Sequence, residues 1–404
     1  MRLAVVTESR DRVGGVEAYL ESILPALGAR HDVAFWSASD DLTERGAIRL
    51  PAGILAMTLD LSAADRLHRL RSWRPDLLFA HGLNDPALEG QVLAVAPAVV
   101  VQHTYHGTCI SSSKTMSWPV IAACERPFGT ACLAMYFPRR CGGSNPITMA
   151  RLYRTQAARL RNLKSAAAVM TLSSHMATEM RRNGVHPDRV HVVPPFVAPS
   201  VDGRSAVAAA SPCRLLYLGR LEPLKGVDRL IDSLVDVAAG IGPVRLVIAG
   251  AGSELAALES RAARICAADP RIEIRFDGWQ DEAGRARLFS ATDALVVPSL
   301  WPEPFGLVGL EAAAAGVPAV GFATGGIPEW LCDGDTGSLA PAAGAHPRQL
   351  AAAIVRCVGS PETLARLGDG AHRAAAGWTL ERHLGLLEDL FNRARATTMT
   401  SRAS

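Results

Sequence analysis

The string Pro302-Glu303-Pro304-Phe305-Gly306-Leu307-Val308-Gly309-Leu310-Glu311 sets two glutamates eight positions apart. The apolar run before it, Ala294-Leu295-Val296-Val297-Pro298-Ser299, reads as a buried parallel strand. After it come Ala312 to Ala315, helix formers with Gly316 at a natural helix end. Glu303 is thus expected on a strand-to-helix loop and Glu311 just inside the helix. That is the rim where open α/β sheets bind ligands. A carboxylate there can hold vicinal hydroxyls, as on a sugar or a ribose. Taken alone, such a pair reads as solvated loop and helix-start charges; the neighbouring motifs overturn that reading.

Four further features point to one anionic ligand. Gly219-Arg220-Leu221-Glu222-Pro223-Leu224-Lys225-Gly226 ends an expected strand with two cations five positions apart. Arginine offers a bidentate fork and lysine a point charge, a combination suited to a diphosphate. Gly250-Ala251-Gly252 lets backbone approach a ligand closely, and Thr324-Gly325-Gly326 makes a second glycine turn at a strand end. Gly14-Gly15 offers the same in the first half, where the N–H groups of the following helix can face a phosphate or sugar.

This ensemble resembles the retaining glycosyltransferases of family 4, with the resemblance strong from Arg214 to Leu339 and looser before Val190. The resemblance implies an α/β GT-B fold: two Rossmann-like parallel-sheet domains facing a central cleft. It gives Glu303 contacts to donor-sugar hydroxyls and Glu311 the ribose of the nucleotide. Phe305, Gly306 and Leu307 would present backbone N–H groups to sugar and phosphate. Arg220 and Lys225 match the pair that neutralises the leaving diphosphate, Gly278-Trp279 the segment lining the base pocket, and Gly14-Gly15 the first-domain glycine loop. His103, at the end of Ala98-Val99-Val100-Val101-Gln102, looks like the active-site histidine of the family. His106 competes for that role, and His81 at another strand end reads equally as an acceptor-side group or a loop residue. Two motifs depart from the pattern. His103-Thr104 stands where His-Asp is common, and Pro194-Pro195-Phe196-Val197-Ala198 where Pro-Asn-Gly-Val-Asp is usual.

The implied reaction moves a sugar from a nucleotide-diphosphate sugar to an acceptor hydroxyl with retention, in polysaccharide, glycolipid or other glycoconjugate assembly. Stabilising the charge that grows on the leaving diphosphate is the main catalytic task. Arg220, Lys225 and the loop amides would do this with no metal and no cofactor beyond the co-substrate. A nucleotide-sugar epimerase on the same fold and a non-catalytic nucleotide-sugar-binding protein are the alternatives. A dinucleotide oxidoreductase is disfavoured because Gly14-Gly15 does not build Gly-x-Gly-x-x-Gly.

These residues need two sheets to position them. A chain of 404 residues suits two domains of ordinary size. Leu3–Val6, Val33–Trp36, Leu77–Ala80, Ala98–Val101, Ala167–Leu172 and Val190–Val193 read as strands of the first domain. Arg214–Gly219, Val244–Gly250, Ile272–Phe276, Ala294–Val297 and Ala319–Phe322 read as strands of the second. The expected organisation is a first domain over 1–197, completed by a C-terminal helix at 379–395. A linker at 198–212, a nucleotide-sugar domain at 213–378 and a frayed tail at 396–404 complete it.

The formal net charge of +3 implies no polyanion such as nucleic acid as a global partner. The charged start, Met1-Arg2 to Asp11-Arg12, is unlike a signal peptide, and no apolar stretch reaches spanning length. A cytoplasmic protein is expected, either in the cytosol or peripheral on the cytoplasmic membrane face. Residues 139–189 are basic: Arg139, Arg140, Arg151, Arg154, Arg159, Arg161, Lys164, Arg181, Arg182 and Arg189 face only Glu179 and Asp188 in acid content. Met149 to Leu163 mixes apolar side chains with arginine at helical spacing, which fits an anionic lipid surface, a lipid-diphosphate acceptor, or a solvated helix face. The acceptor that the resemblance implies is a glycan or a lipid-linked one. Cys213, Cys266, Cys332 and Cys357 read as small core residues. Cys109, Cys124, Cys132 and Cys141 lack metal-ligand spacing, so free thiols or disulfides compete with a weak zinc reading.

Overall fold

The computed structural model describes residues 1–11, 15–39, 46–57, 62–198 and 212–403, with backbone alone at 63 and 397–403. Gly14 and positions 199–211 of the expected linker lie outside these.

Short apolar runs set the first sheet. β1 (Arg2–Thr7), β2 (Asp32–Ser37), β3 (Leu55–Ala56), β4 (Leu77–Ala80) and β5 (Ala98–Gln102) come first. A hairpin of β6 (Thr115–Met116) and β7 (Ala122–Ala123) follows, then β8 (Ala168–Thr171) and β9 (Val190–Val192). The sheet order is β3-β2-β1-β4-β5-β8-β9, with parallel pairing throughout. Leu3, Ala4, Val5 and Val6 are all buried, and so is all of β4 and β5. Strands covered on both faces carry continuous apolar runs, not alternation.

The second sheet holds β10 (Cys213–Leu218), β11 (Val244–Ala249), β12 (Ile272–Gly278), β13 (Ala294–Val297), β14 (Ala319–Phe322) and β15 (Gly337–Ala340). Its order is β12-β11-β10-β13-β14-β15, again all parallel. Both sheets therefore reverse direction of growth once, between β1 and β4 and between β10 and β13. Loops leaving the carboxyl ends at such a switch point diverge and leave a crevice. Below the second switch point, Arg214 at the start of β10 forks onto Asp293 just before β13, with Nη2–Oδ1 at 2.7 Å and Nε–Oδ2 at 3.2 Å. The Arg214 backbone N–H also donates to that carboxylate at 2.8 Å.

The chain divides into two compact units, residues 1–113, 125–194 and 383 onward, and residues 114–124 and 195–382. Residues 114–124 group with the second unit, where Ile121 packs against the second sheet's apolar core. The last helix runs Leu380–Ala403. No glycine or proline follows Gly385, so nothing interrupts its backbone ladder. Leu384, Leu387, Leu390, Phe391 and Ala394 bury its inner stripe.

Candidate active site

In the second unit the switch point carries the cations and the first carboxylate. The loop after β10 holds Arg220 and Lys225; the loop after β13 holds Glu303. Leu224 O accepts from Leu300 N at 2.9 Å and Trp301 N at 3.0 Å, which laces the two loops together. Gly226 takes φ +67°, and a Cβ there would fall on Pro298 O, so only glycine allows this approach. Lys225 Nζ consequently reaches Glu303 Oε1 at 2.6 Å and lies 4.9 Å from the centre of the Trp301 ring. Both side chains of the pair are largely buried. Arg220 is exposed, and its guanidinium has no hydrogen-bond or ion-pair partner among the described residues.

A third loop backs the second. Gly326 N donates to Glu303 O at 2.7 Å, and Thr324 Oγ1 donates to Ser299 O at 3.1 Å. Gly325 takes φ +58°, and a Cβ there would overlap the Glu303 backbone. The Thr324-Gly325-Gly326 turn therefore supports Glu303 in addition to lying at a strand end. Gly219 and Gly250 follow Leu218 and Ala249, which register with each other, and Gly278 registers with Ala249, so the three glycines lie within one residue of a common level. Trp279 follows on the edge strand and is 62% exposed.

Helix Leu307–Ala314 starts at this rim. The backbone N–H groups of Phe305, Gly306, Leu307 and Val308 have no acceptor among the described residues, as the first turn of a helix requires. They form a positive concavity suited to an anion. The Phe305 side chain, by contrast, belongs to the core, edge-on to Trp378 at 5.3 Å, while its carbonyl accepts from Trp330 Nε1 at 2.6 Å. Glu311, one turn on, meets Arg285 Nε at 3.3 Å. Burial raises the Glu311 carboxyl above the ordinary range, and Arg285 opposes the rise. Arg285 carries no motif signal; only its place on the helix after Gly278-Trp279 singles it out.

In the first unit, Gly15 opens helix Gly15–Arg30 and is exposed. His103 follows β5 and His81 follows β4. The structure joins them: His81 Nδ1 lies 3.0 Å from His103 Nε2, with the rings nearly parallel at 20°. Burial holds His103 down at about 4, and burial together with His103 holds His81 well below the usual imidazole range. His106 is not in that pair; burial and then the Arg159 charge bring it to about 4. Tyr19, on helix Gly15–Arg30, touches His81 at 5.8 Å and bonds His383 Nε2 at 2.9 Å. His383 Nδ1 donates to Pro194 O at 2.6 Å, so Tyr19 donates to the other nitrogen of a neutral ring.

Part of the basic segment turns inward. On helix Pro146–Ser165 the buried positions are Gln156, Arg159 and Leu163. Arg159 donates to Asn84 O at 2.9 Å and faces Glu89 at 3.7 Å. Arg151, Arg154, Arg161 and Lys164 are exposed, and Ile147 is 78% exposed beside a surface hollow shared with Arg151 and Arg154. Among the described residues no helix is long and apolar enough to cross a membrane.

All eight cysteines are free thiols. Cys357 is core, but Cys332 is exposed, in a turn rather than in the core. No group of three or more His, Cys, Asp or Glu side chains among the described residues is placed to hold a metal. Asp333-Gly334-Asp335 has Asp-x-Asp spacing, yet Asp333 Oδ1 is engaged locally, accepting from Leu339 N at 2.7 Å.

Residues 206–374 match the family model described as glycosyl transferases group 1, and residues 13–201 match that of glycosyltransferase family 4. The chain is 29% identical over 358 residues to the phosphatidyl-myo-inositol mannosyltransferase of Mycobacterium leprae, covering 85% of this chain and 84% of that protein. It is 35% identical over 176 residues to the D-inositol 3-phosphate glycosyltransferase 2 of Catenulispora acidiphila, covering 41% of this chain and 40% of that protein. Among solved structures, sucrose-phosphate synthase of Thermosynechococcus elongatus aligns with a TM-score of 0.70 at 18% identity, covering 98% of this chain and 99% of that one. HepE of Anabaena in complex with UDP aligns with a TM-score of 0.65 at 19% identity, covering 96% and 99%. At these identities the structural likeness establishes a shared GT-B fold.

Proposed function

We propose, from the premise that this chain belongs to the group 1, family 4 glycosyltransferases, that it transfers a sugar from a nucleotide-diphosphate donor to an acceptor hydroxyl with retention at the anomeric carbon. The observation that carries the reading is the second switch point. There an exposed guanidinium, a lysine–glutamate pair and an unsatisfied helix N-terminus share one rim.

Each part has a task. Charge grows on the diphosphate as its bond to the anomeric carbon breaks, and fixed cations and N–H donors lower that barrier most. Arg220 and Lys225 supply the cations; Phe305, Gly306 and Leu307 supply the amides. Glu303 holds donor-sugar hydroxyls, and Glu311 the ribose. Gly278 and Trp279 border the base, with Gly219 and Gly250 keeping side chains out of the way. Gly14, Gly15 and His103 in the first unit take a donor-binding role by family resemblance. With two cations at the leaving group, no metal is needed in this reading. The UDP and UDP-glucose complexes of HepE support a nucleotide-sugar donor.

For the acceptor, relatives named for inositol 3-phosphate and phosphatidyl-myo-inositol support an anionic polyol or a lipid-linked glycan. The exposed Ile147 beside Arg151 and Arg154 supports docking on the cytoplasmic membrane face. Polysaccharide or glycolipid assembly is the proposed setting. The test is thermal stabilisation by UDP, GDP and ADP with EDTA present, wild type beside Arg220→Ala, followed by NMR of the product anomer. Stabilisation by one nucleotide and a retained anomer support the reading. Absence of stabilisation by all three, or an inverted product, rejects it.

A further inference from the structure

We propose that His81 is a positioning residue for His103, fixing the tautomer in which His103 carries its proton on Nδ1. The inference rests on the reading of His103 as a donor-facing group.

The sheet register places the two rings on one face. β4 and β5 pair with Phe79 opposite Val99 and Ala80 opposite Val100. Continued past the strand ends, His81 falls opposite Val101. His103 is two residues beyond Val101, and side chains two apart share a face. The His81 ring is then wedged: edge-on to Phe79 at 4.5 Å, tilted against Tyr19 at 5.8 Å, and 9% exposed. Its backbone is pinned too, His81 N donating to Val6 O at 2.8 Å. A ring held this way has little freedom to follow another group, so His103 adapts to it.

The direction of the 3.0 Å bond follows from the far side of His81. Its Nε2 is buried and has no hydrogen-bond partner among the described residues. If His81 accepted at Nδ1, that Nε2 would carry a buried N–H with nowhere to donate, the rarer and costlier orphan. If His81 donates from Nδ1, only a lone pair is left unmatched. The structure therefore favours His81 Nδ1–H donating to His103 Nε2. A neutral His103 must then hold its proton on Nδ1, which has no protein partner among the described residues. His103 thus offers its surroundings an N–H donor and not a base, a form suited to a sugar hydroxyl oxygen.

Long-range proton–nitrogen NMR on the histidine-labelled full chain reads the tautomer directly, with the His103 signals identified by their loss in His103→Gln. The expected wild-type pattern is Nδ1–H with a bare Nε2; an Nε2–H pattern overturns the proposal without any variant. His81→Phe keeps the ring volume and removes the bond. It should mix the His103 tautomers and lower kcat by about 10–100-fold, as loss of an outer-shell partner does, with donor KM within a few-fold. His81→Asn, which still carries an N–H donor, should recover part of that loss. An unchanged tautomer or unchanged kcat in His81→Phe rejects the positioning role. Full turnover in His103→Ala instead rejects the donor-facing role of His103, whatever the tautomer.

Discussion

Lys225 and Glu303, 78 positions apart in the chain, hold each other at 2.6 Å across the point where the second sheet reverses its growth. Removing either partner leaves the other as an uncompensated, largely buried charge. Lys225→Met and Glu303→Gln should each lower turnover by about 10²–10³-fold, the range for losing one charge-stabilising group. Lys225→Met should also cost about 3 kcal/mol of stability. In a double-mutant cycle on nucleotide affinity the coupling should reach about 1–3 kcal/mol. Additive effects would show that the pair acts as two separate groups.

Arg220 predicts the opposite balance. It is exposed and its guanidinium makes no bond to the described residues; its one tie, the carbonyl that accepts from Tyr217 OH at 2.6 Å, is backbone and survives truncation of the side chain. Arg220→Ala should leave the melting temperature within about a degree, consistent with a surface change of under 0.5 kcal/mol. Turnover should fall about 10²-fold or more while nucleotide affinity changes little, because the charge it meets grows in the transition state. Single-turnover kinetics beside calorimetry separates the two; a loss confined to affinity would place Arg220 in ground-state binding.

Glu311 sits with a raised carboxyl, chiefly through burial. The folded state therefore holds that proton more tightly than the unfolded chain. The stability linked to it is full below the ordinary carboxylate range and is lost as pH rises through the raised value. Glu311→Gln should consequently raise the melting temperature at pH 7, with the gain vanishing toward pH 4. The same change should weaken nucleotide binding by about 1.5–3 kcal/mol, the worth of hydrogen bonds to a charged group. Equal melting curves at both pH values would refute the burial argument.

The histidines make acid stability a property of the first unit. His103 and His106 are held at about 4 in the folded chain, against 6.5 ordinarily, and His81 is depressed as well. Stability from these groups is present above pH 6.5 and is lost as pH falls through about 4. Denaturant melts at pH 7, 5.5 and 4.5 should show that decline, and His106→Asn should flatten it. Turnover should show no inflection near 6.5, since His103 stays neutral there; an inflection at that pH would contradict its burial.

The fold was legible where strands are buried on both faces. Leu215-Leu216, Ala294–Val297 and Ala319–Phe322 carry apolar runs with no room for another reading. The edge strands β3 and β15 escaped because two exposed-to-half-buried residues, or Gly337-Ser338, carry no such run. The rim residues were legible because motif spacing fixes which loop they occupy. Their partners were not: Arg285 finds Glu311 only once two helices are packed, and Arg159 finds Glu89 only across a helix pair. Arg159 looked solvated because its neighbours in the chain are basic; burial is a property of its helix face. Likewise His81 and His103 were both visible at strand ends, but their bond depends on the register between β4 and β5.

The interlock of Gly325 with the Glu303 backbone, and of Trp330 with Phe305, also limits how this site can be transplanted. Residues 299–311 and 324–330 are separate in the chain yet form one cassette. Grafting either segment alone from a relative would set a foreign loop against a notch cut for the native one. If these loops hold the donor as proposed, its preference would pass through two segments together, and recombination between them would break it.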